Sequence, residues 1–240
     1  MEPLVLPRGA RARNAKVGAA FGIVAGILVT LLFLIPTPSG TPEQQLINFN
    51  ANKTIWGVIG VFDVLLLLSA IPFAAYLRSV LEGRSPGTAS AAAILFVVGI
   101  VFGAGASLIQ VNEVGLLSGL YSSTTASAAD RAAAVTAATL LSDISMGLTS
   151  IVLLEGGIVL FSVTMLNSRI FANWVADVGV ASGAMLILIY ALTPFLSTSS
   201  FLGFLIFLAF LVLLVVWVFG SAGYLLRSAR GAAVGAPAPA

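Results

Sequence analysis

The chain contains no cysteine and no histidine, and charged side chains make up only 8% of its 240 residues, 11 basic and 9 acidic. Each shortage excludes something. Without cysteine there is no disulfide, thiol nucleophile, iron–sulfur cluster or zinc–cysteine site. Without histidine there is no imidazole base, no histidine-ligated haem and no ordinary Ser-His-Asp triad. An average soluble domain carries about 25% charged residues, and 8% cannot cover the surface of a soluble fold of this length. The net charge of +2 arises from small counts and does not indicate a nucleic-acid partner. No cofactor, metal site or catalytic constellation is expected.

What the chain has is apolar length. Hydrophobic residues make up 59% of it, and a membrane helix needs about 20 consecutive ones. Six stretches qualify: 17–35, 55–77, 89–109, 144–166, 174–193 and 201–226, holding only three charges, Asp63, Glu155 and Asp177. The basic residues between them divide nine to two: Arg8, Arg11, Arg13, Lys16, Arg78, Arg84, Arg169, Arg227 and Arg230 against Lys53 and Arg131. Under the positive-inside rule this bias puts both termini in the cytoplasm. Aromatic anchors agree, with Trp56, Tyr121 and Tyr190 at outer ends and Tyr76, Trp174 and Tyr224 at inner ones. The expected architecture is all-α, a polytopic membrane bundle of six transmembrane helices. A basic cytoplasmic segment, 1–16, precedes the membrane domain, 17–226, and an Ala/Pro-rich cytoplasmic tail, 227–240, follows it. The first span exceeds the apolar core of a signal peptide and lacks an A-x-A site after it, so it reads as retained.

Outside the spans, Thr41-Pro42-Glu43-Gln44 carries an N-cap threonine, a proline at the first helical position and a capping-box glutamine. It predicts a short surface helix over 42–50, with Leu46, Ile47 and Phe49 available to dip into the interface. Asn52-Lys53-Thr54 reads either as a glycosylation sequon or as a cap for the second span. Ser127-Ala-Ala-Asp130 reads as another capping box, opening an alanine-rich helix that joins the fourth span without a breaker. A helix over 128–166 would be about 58 Å long, nearly twice the hydrocarbon thickness. The third span can likewise continue to Tyr121. The third and fourth helices are thus expected to extend into an outer hairpin turning at 122–127, either projecting outward or folded back as a lid.

Gly18, Gly22 and Gly26 recur four apart on the first span, a spacing that lets helix backbones approach closely in lipid. Gly99-x3-Gly103, Gly115-x3-Gly119 and Gly179-x3-Gly183 repeat it, at a frequency that so glycine-rich a chain produces by chance. Val17–Gly22 resembles Val178–Gly183, and the helices that follow end in Tyr76-Leu77-Arg78 and Tyr224-Leu225-Leu226-Arg227, consistent with a parallel repeat or with the common composition of membrane ends.

A carboxylate at mid-membrane costs about 2.5–3.5 kcal/mol on insertion scales. Asp63 and Glu155 are the intramembrane acidic candidates, and no Lys or Arg lies in any span to pair with them. They are either protonated and hydrogen-bonded within the bundle, or line a water-filled path, or meet a partner's cation. Asp177 has an easier account: Asn173 reads as an N-cap, which puts Asp177 in the first turn at the positive end of the helix dipole. Ser107, Gln110 and Glu113 share a face of the third helix, and Thr139, Ser142, Asp143, Ser145 and Thr149 a face of the fourth. If these faces meet, Gln110, Glu113 and Asp143 line an outer polar vestibule above Glu155; otherwise they are solvated helix ends.

Leu153-Leu154-Glu155-Gly156-Gly157 through Ser162, then Met165-Leu166-Asn167-Ser168-Arg169-Ile170-Phe171 and Trp174-Val175-Ala176, resembles a widespread prokaryotic family of six-helix membrane proteins known only as a domain of unknown function. Ala172-Asn173 stands where that pattern carries Pro-Arg. The resemblance implies the fold and brings no activity. Two functions remain in view. One is a non-catalytic accessory or scaffold subunit of a cell-membrane complex, contacting lipid and either a partner subunit or a second copy. The other is a small, proton-coupled transporter or channel using Glu155 and Asp63.

Overall fold

The computed structural model describes residues 8–35, 41–83, 85–145, 148–168, 170–192 and 201–234. These residues form eight helices: α1 (Arg8–Leu34), α2 (Pro42–Ala51), α3 (Lys53–Leu81), α4 (Pro86–Tyr121), α5 (Ala128–Ser145), α6 (Leu148–Ser168), α7 (Asn173–Leu192) and α8 (Phe201–Val234). There is no strand among the described residues. Four stretches are long and apolar enough to cross a membrane: Arg13–Leu32, Lys53–Leu81, Pro86–Tyr121 and Leu205–Ala229. The expected fourth and fifth spans correspond to shorter apolar stretches, Val152–Ser168 and Asn173–Ile189. The continuity expected of one helix over 128–166 falls on residues 146 and 147, which lie outside the described residues. At the ends, α1 begins at Arg8, well before the expected start of its span, and α8 continues to Val234, into the expected tail. Residues 235–240 lie outside the described residues.

Six helices close a ring. In the order α1, α3, α4, α6, α7, α8, each packs on the next, and α8 returns to α1. The inside of the ring is filled by rings of another kind. Phe73 of α3, Phe96 of α4, Phe161 of α6 and Trp217 of α8 meet with centroids 6.2–6.4 Å apart, mostly edge-on or tilted. All four side chains are at most 4% exposed. Edge-to-face contact is the favourable geometry for aromatic quadrupoles, and four large rings at one level leave a packed core there.

Glycine sets how close the helices come. A Cβ on Gly99 would stand 2.4 Å from the backbone nitrogen of Leu154, and one on Gly157 2.5 Å from that of Phe96. The α4–α6 contact is therefore reciprocal and backbone to backbone, possible only where neither helix carries a side chain. The face formed by Gly18, Gly22 and Gly26 on α1 meets Tyr76 and Phe73 of α3 and Ala222 and Phe219 of α8, with virtual Cβ contacts of 2.5–2.9 Å. These glycines pack inside the chain.

Outside the ring, α2 and α5 lie against the second half of α4. The capping box at Thr41 is complete: Gln44 N donates to Thr41 Oγ1 at 3.3 Å, and Thr41 N to Gln44 Oε1 at 3.1 Å. The second box is complete too, with Asp130 N donating to Ser127 Oγ at 3.2 Å and Ser127 N to Asp130 Oδ2 at 2.9 Å. Leu46 and Phe49 do not face an interface. They are buried among Val114, Ala134 and Ala138, and only Ile47 of the expected trio is exposed. The amphipathic face of α2 found protein because the second half of α4, together with α5, offers it a partner. Trp56 and Tyr121, expected as lipid-interface anchors, join the same cluster. Trp56 stacks on Phe49 at 4.9 Å, and the Tyr121 hydroxyl donates to Glu43. Asn52 stands at the start of α3 without capping it through its side chain, which donates to Asn48 O at 3.0 Å instead.

Candidate functional site

The buried polar side chains form interhelical pairs around the aromatic core. Asp63 on α3 is 8% exposed and accepts a hydrogen bond from Ser107 on α4. Glu155 on α6 is 2% exposed, and its Oε2 accepts from Ser182 on α7 at 2.9 Å. Two turns along α6, Ser162 accepts from the Trp217 indole of α8 at 3.0 Å. The three pairs join α3 to α4, α6 to α7 and α6 to α8. Hydroxyls elsewhere in the spans bond their own helix one turn back: Thr30 to Gly26 O, Ser69 to Leu65 O and Thr164 to Leu160 O, each at 2.7 Å. Lipid offers no water to these groups, so local carbonyls and neighbouring helices satisfy them. Two buried atoms have no partner among the described residues, Glu155 Oε1 and Ser221 Oγ.

Glycine again makes the geometry possible. A Cβ on Gly179 would stand 2.0 Å from Ser162 Oγ and 2.5 Å from Trp217, and one on Gly183 2.3 Å from Val159. The Gly179-x3-Gly183 spacing thus seats α7 against the Ser162–Trp217 pair and α6. As a sequence pattern it is indistinguishable from a chance glycine pair.

Of the three expected vestibule residues, only Glu113 has a described side chain. Glu113 is exposed on α4, and the side chains of Gln110 and Asp143 lie outside the described residues. Ser107, expected on that same face, turns to Asp63. Asp177 is exposed, but α7 begins at Asn173 itself and has no acidic residue in its first turn. Asn173 is therefore the first residue inside the helix, and Asp177 lies one residue further from the dipole's positive end than expected, past the first turn. Sequence reasoning missed Ser182, the partner of Glu155, and Trp217. The available signal was Trp217 itself: an indole N–H far from either end of an apolar helix requires an acceptor.

A second feature lies along the second half of α8. Trp174, Val215, Val216, Phe219, Tyr224 and Arg227 border an open cleft of about 490 Å³. Tyr224 is held between Phe171 and Trp174, with ring centroids 6.0 and 6.4 Å away.

An all-α bundle of long apolar helices, with paired polar groups inside and aromatic residues near the helix ends, defines a multi-pass membrane protein. The chain belongs to the DUF4386 family, a domain of unknown function, whose model matches residues 17–228. No curated protein and no solved structure matches it.

Proposed function

We propose that this protein is a non-catalytic accessory or scaffold component of a cell-membrane complex, with both termini in the cytoplasm and the α4–α5 pair projecting outward. The observation that carries this reading is the extension of α4. At 36 residues the helix is about 54 Å long against about 30 Å of hydrocarbon. Its extension uses Val114 and Leu117 to hold α2 and α5, yet leaves Leu116 71% and Leu120 45% exposed, one turn apart on one face. An apolar stripe on a rigid helix outside the bilayer gains by meeting a partner, either another subunit or a second copy. The filled interior supports the same reading, since the aromatic core blocks a polar route through the ring.

The test is crosslinking in native membranes followed by mild-detergent purification of the wild type and a Leu116→Asn/Leu120→Asn variant. The wild type is expected in a species larger than a monomer. The variant is expected as a monomer of unchanged helicity. A wild type recovered only as a monomer, with nothing crosslinked to it, overturns the proposal.

One observation favours proton-coupled transport as a second reading: Glu155 Oε1 is buried with no partner among the described residues. A carboxyl that exchanges its proton during transport would make pH-driven flux in liposomes disappear in Glu155→Gln. Equal flux in both proteins removes Glu155 from any such mechanism.

A further inference from the structure

The cleft beside α8 is built as a one-leaflet groove with a cationic end. From Val215 to Arg227 the helix rises about 18 Å, close to the roughly 15 Å depth of half the hydrocarbon layer. Its deep end is apolar, with Val216 and Phe219 38% and 36% exposed. Two glycines shape the middle. Gly220 lets the Trp174 ring lie on α8, since a Cβ there would stand 2.9 Å from Trp174 Cη2. Gly223 opens a notch, with nothing within 4 Å of a Cβ placed on it. From there to the other end the lining carries three kinds of donor: the Trp174 indole beside Gly220, then the Tyr224 hydroxyl and the Arg227 guanidinium. Arg227 is exposed and has no carboxylate within ion-pair distance among the described residues, where the one salt bridge is Arg78–Glu82 at 3.3 Å. A cleft of about 490 Å³ falls within the range of small-molecule sites, about 300–1,000 Å³.

We infer that this groove binds one anionic phospholipid, with an acyl chain along Val215, Val216 and Phe219 and the phosphate at Arg227, Trp174 and Tyr224. Charge complementarity selects the headgroup: a guanidinium binds phosphate oxygens bidentately, and aromatic residues with a polar tip favour the headgroup level. The nine-to-two distribution of basic residues puts this end at the cytoplasmic leaflet, where anionic lipid is concentrated. The inference rests on α8 crossing a bilayer and does not depend on the scaffold role.

The experiment is native mass spectrometry of the detergent-solubilised full chain, with phosphatidylglycerol or phosphatidylcholine of identical acyl chains added at equal concentration. The wild type is expected to retain one phosphatidylglycerol, and Arg227→Gln to lose that preference by about fivefold. Gly223→Leu, which projects a side chain into the notch from a Cβ with nothing within 4 Å, is expected to lose retention of both lipids. Equal retention of the two lipids by the wild type, wild-type preference in Arg227→Gln, or undiminished retention in Gly223→Leu each overturns the inference. Competition by inorganic phosphate alone overturns it as well, because the site then reads a free anion and not a lipid. The oligomer crosslinking above is read independently, so failure of one proposal is distinguishable from failure of the other.

Discussion

The ring of six helices and the cap of α2, α5 and the end of α4 are held together by different physics. In the ring, lipid is as apolar as the side chains, so burial alone does not tell one helix face from another. Its contacts depend on shape and direction: Gly99 against Leu154, Gly157 against Phe96, four interlocking aromatic rings, and hydrogen bonds between helices. In the cap, helices begin with side chains that satisfy their free N–H groups, and an apolar face of α2 is buried among alanines and valines. That is the logic by which helices pack in water-soluble proteins. Cohesion of the ring thus tolerates little change of volume, whereas cohesion of the cap is spread over helix caps and apolar area.

The sharpest way to break the contrast is Trp217→Ala, which empties the centre of the ring and leaves Ser162 without its donor. A loss of about 3–5 kcal/mol is expected in denaturant unfolding of the detergent-solubilised protein. Trp217→Phe keeps an aromatic ring there but loses the indole N–H and part of the volume, for a smaller loss of about 1–3 kcal/mol. Gly99→Leu comes next, at about 3 kcal/mol, because its side chain meets backbone that cannot rotate away. If Gly99→Leu unfolds like the wild type, the backbone-to-backbone α4–α6 contact is wrong. In the cap, Thr41→Ala removes one end of a capping box and should cost about 1 kcal/mol. Hydrogen exchange is the suitable measurement, with faster exchange confined to α2 and the ring unchanged. Acceleration throughout α3 and α8 would mean that cap and ring form one cooperative unit.

The smallest effect separates the two regions by pH. Hydrogen bonds from the Ser127 hydroxyl and backbone N–H hold the Asp130 carboxyl below its ordinary value of 3.8. A group depressed in the folded state contributes stability that is fully present above its unfolded value and is lost as pH falls through the folded one. Amides in the first turn of α5 should therefore exchange faster only in acid below the normal aspartate range, and Asp130→Ala should remove that pH dependence. Persistence of the dependence in Asp130→Ala would place its origin elsewhere.

Local features were legible because they are encoded by neighbours in sequence. Thr41 and Gln44, and Ser127 and Asp130, cap helices within four residues of chain, and the apolar stretches show themselves by length. Asp63 and Glu155 were legible as anomalies, but their partners were not. Ser107 lay on what looked like a vestibule face, and Ser182 lay inside what looked like a weak repeat. A hydroxyl in a membrane helix can bond its own carbonyl one turn back, as Thr30 does, or reach another helix, as Ser182 does. Composition does not distinguish the two.

The sequence by itself determined the helical class, the apolar lengths, the two capping boxes and the two carboxyls that need an account, because charge, chain length and capping act over a few residues. Only the tertiary structure decided that α8 closes the ring onto α1, that α2 turns Leu46 and Phe49 onto α4 and α5, and that Gly99 and Gly157 mark the α4–α6 contact. Those choices are made between apolar faces of nearly equal hydrophobicity, where shape and the placement of single hydroxyls select the neighbour.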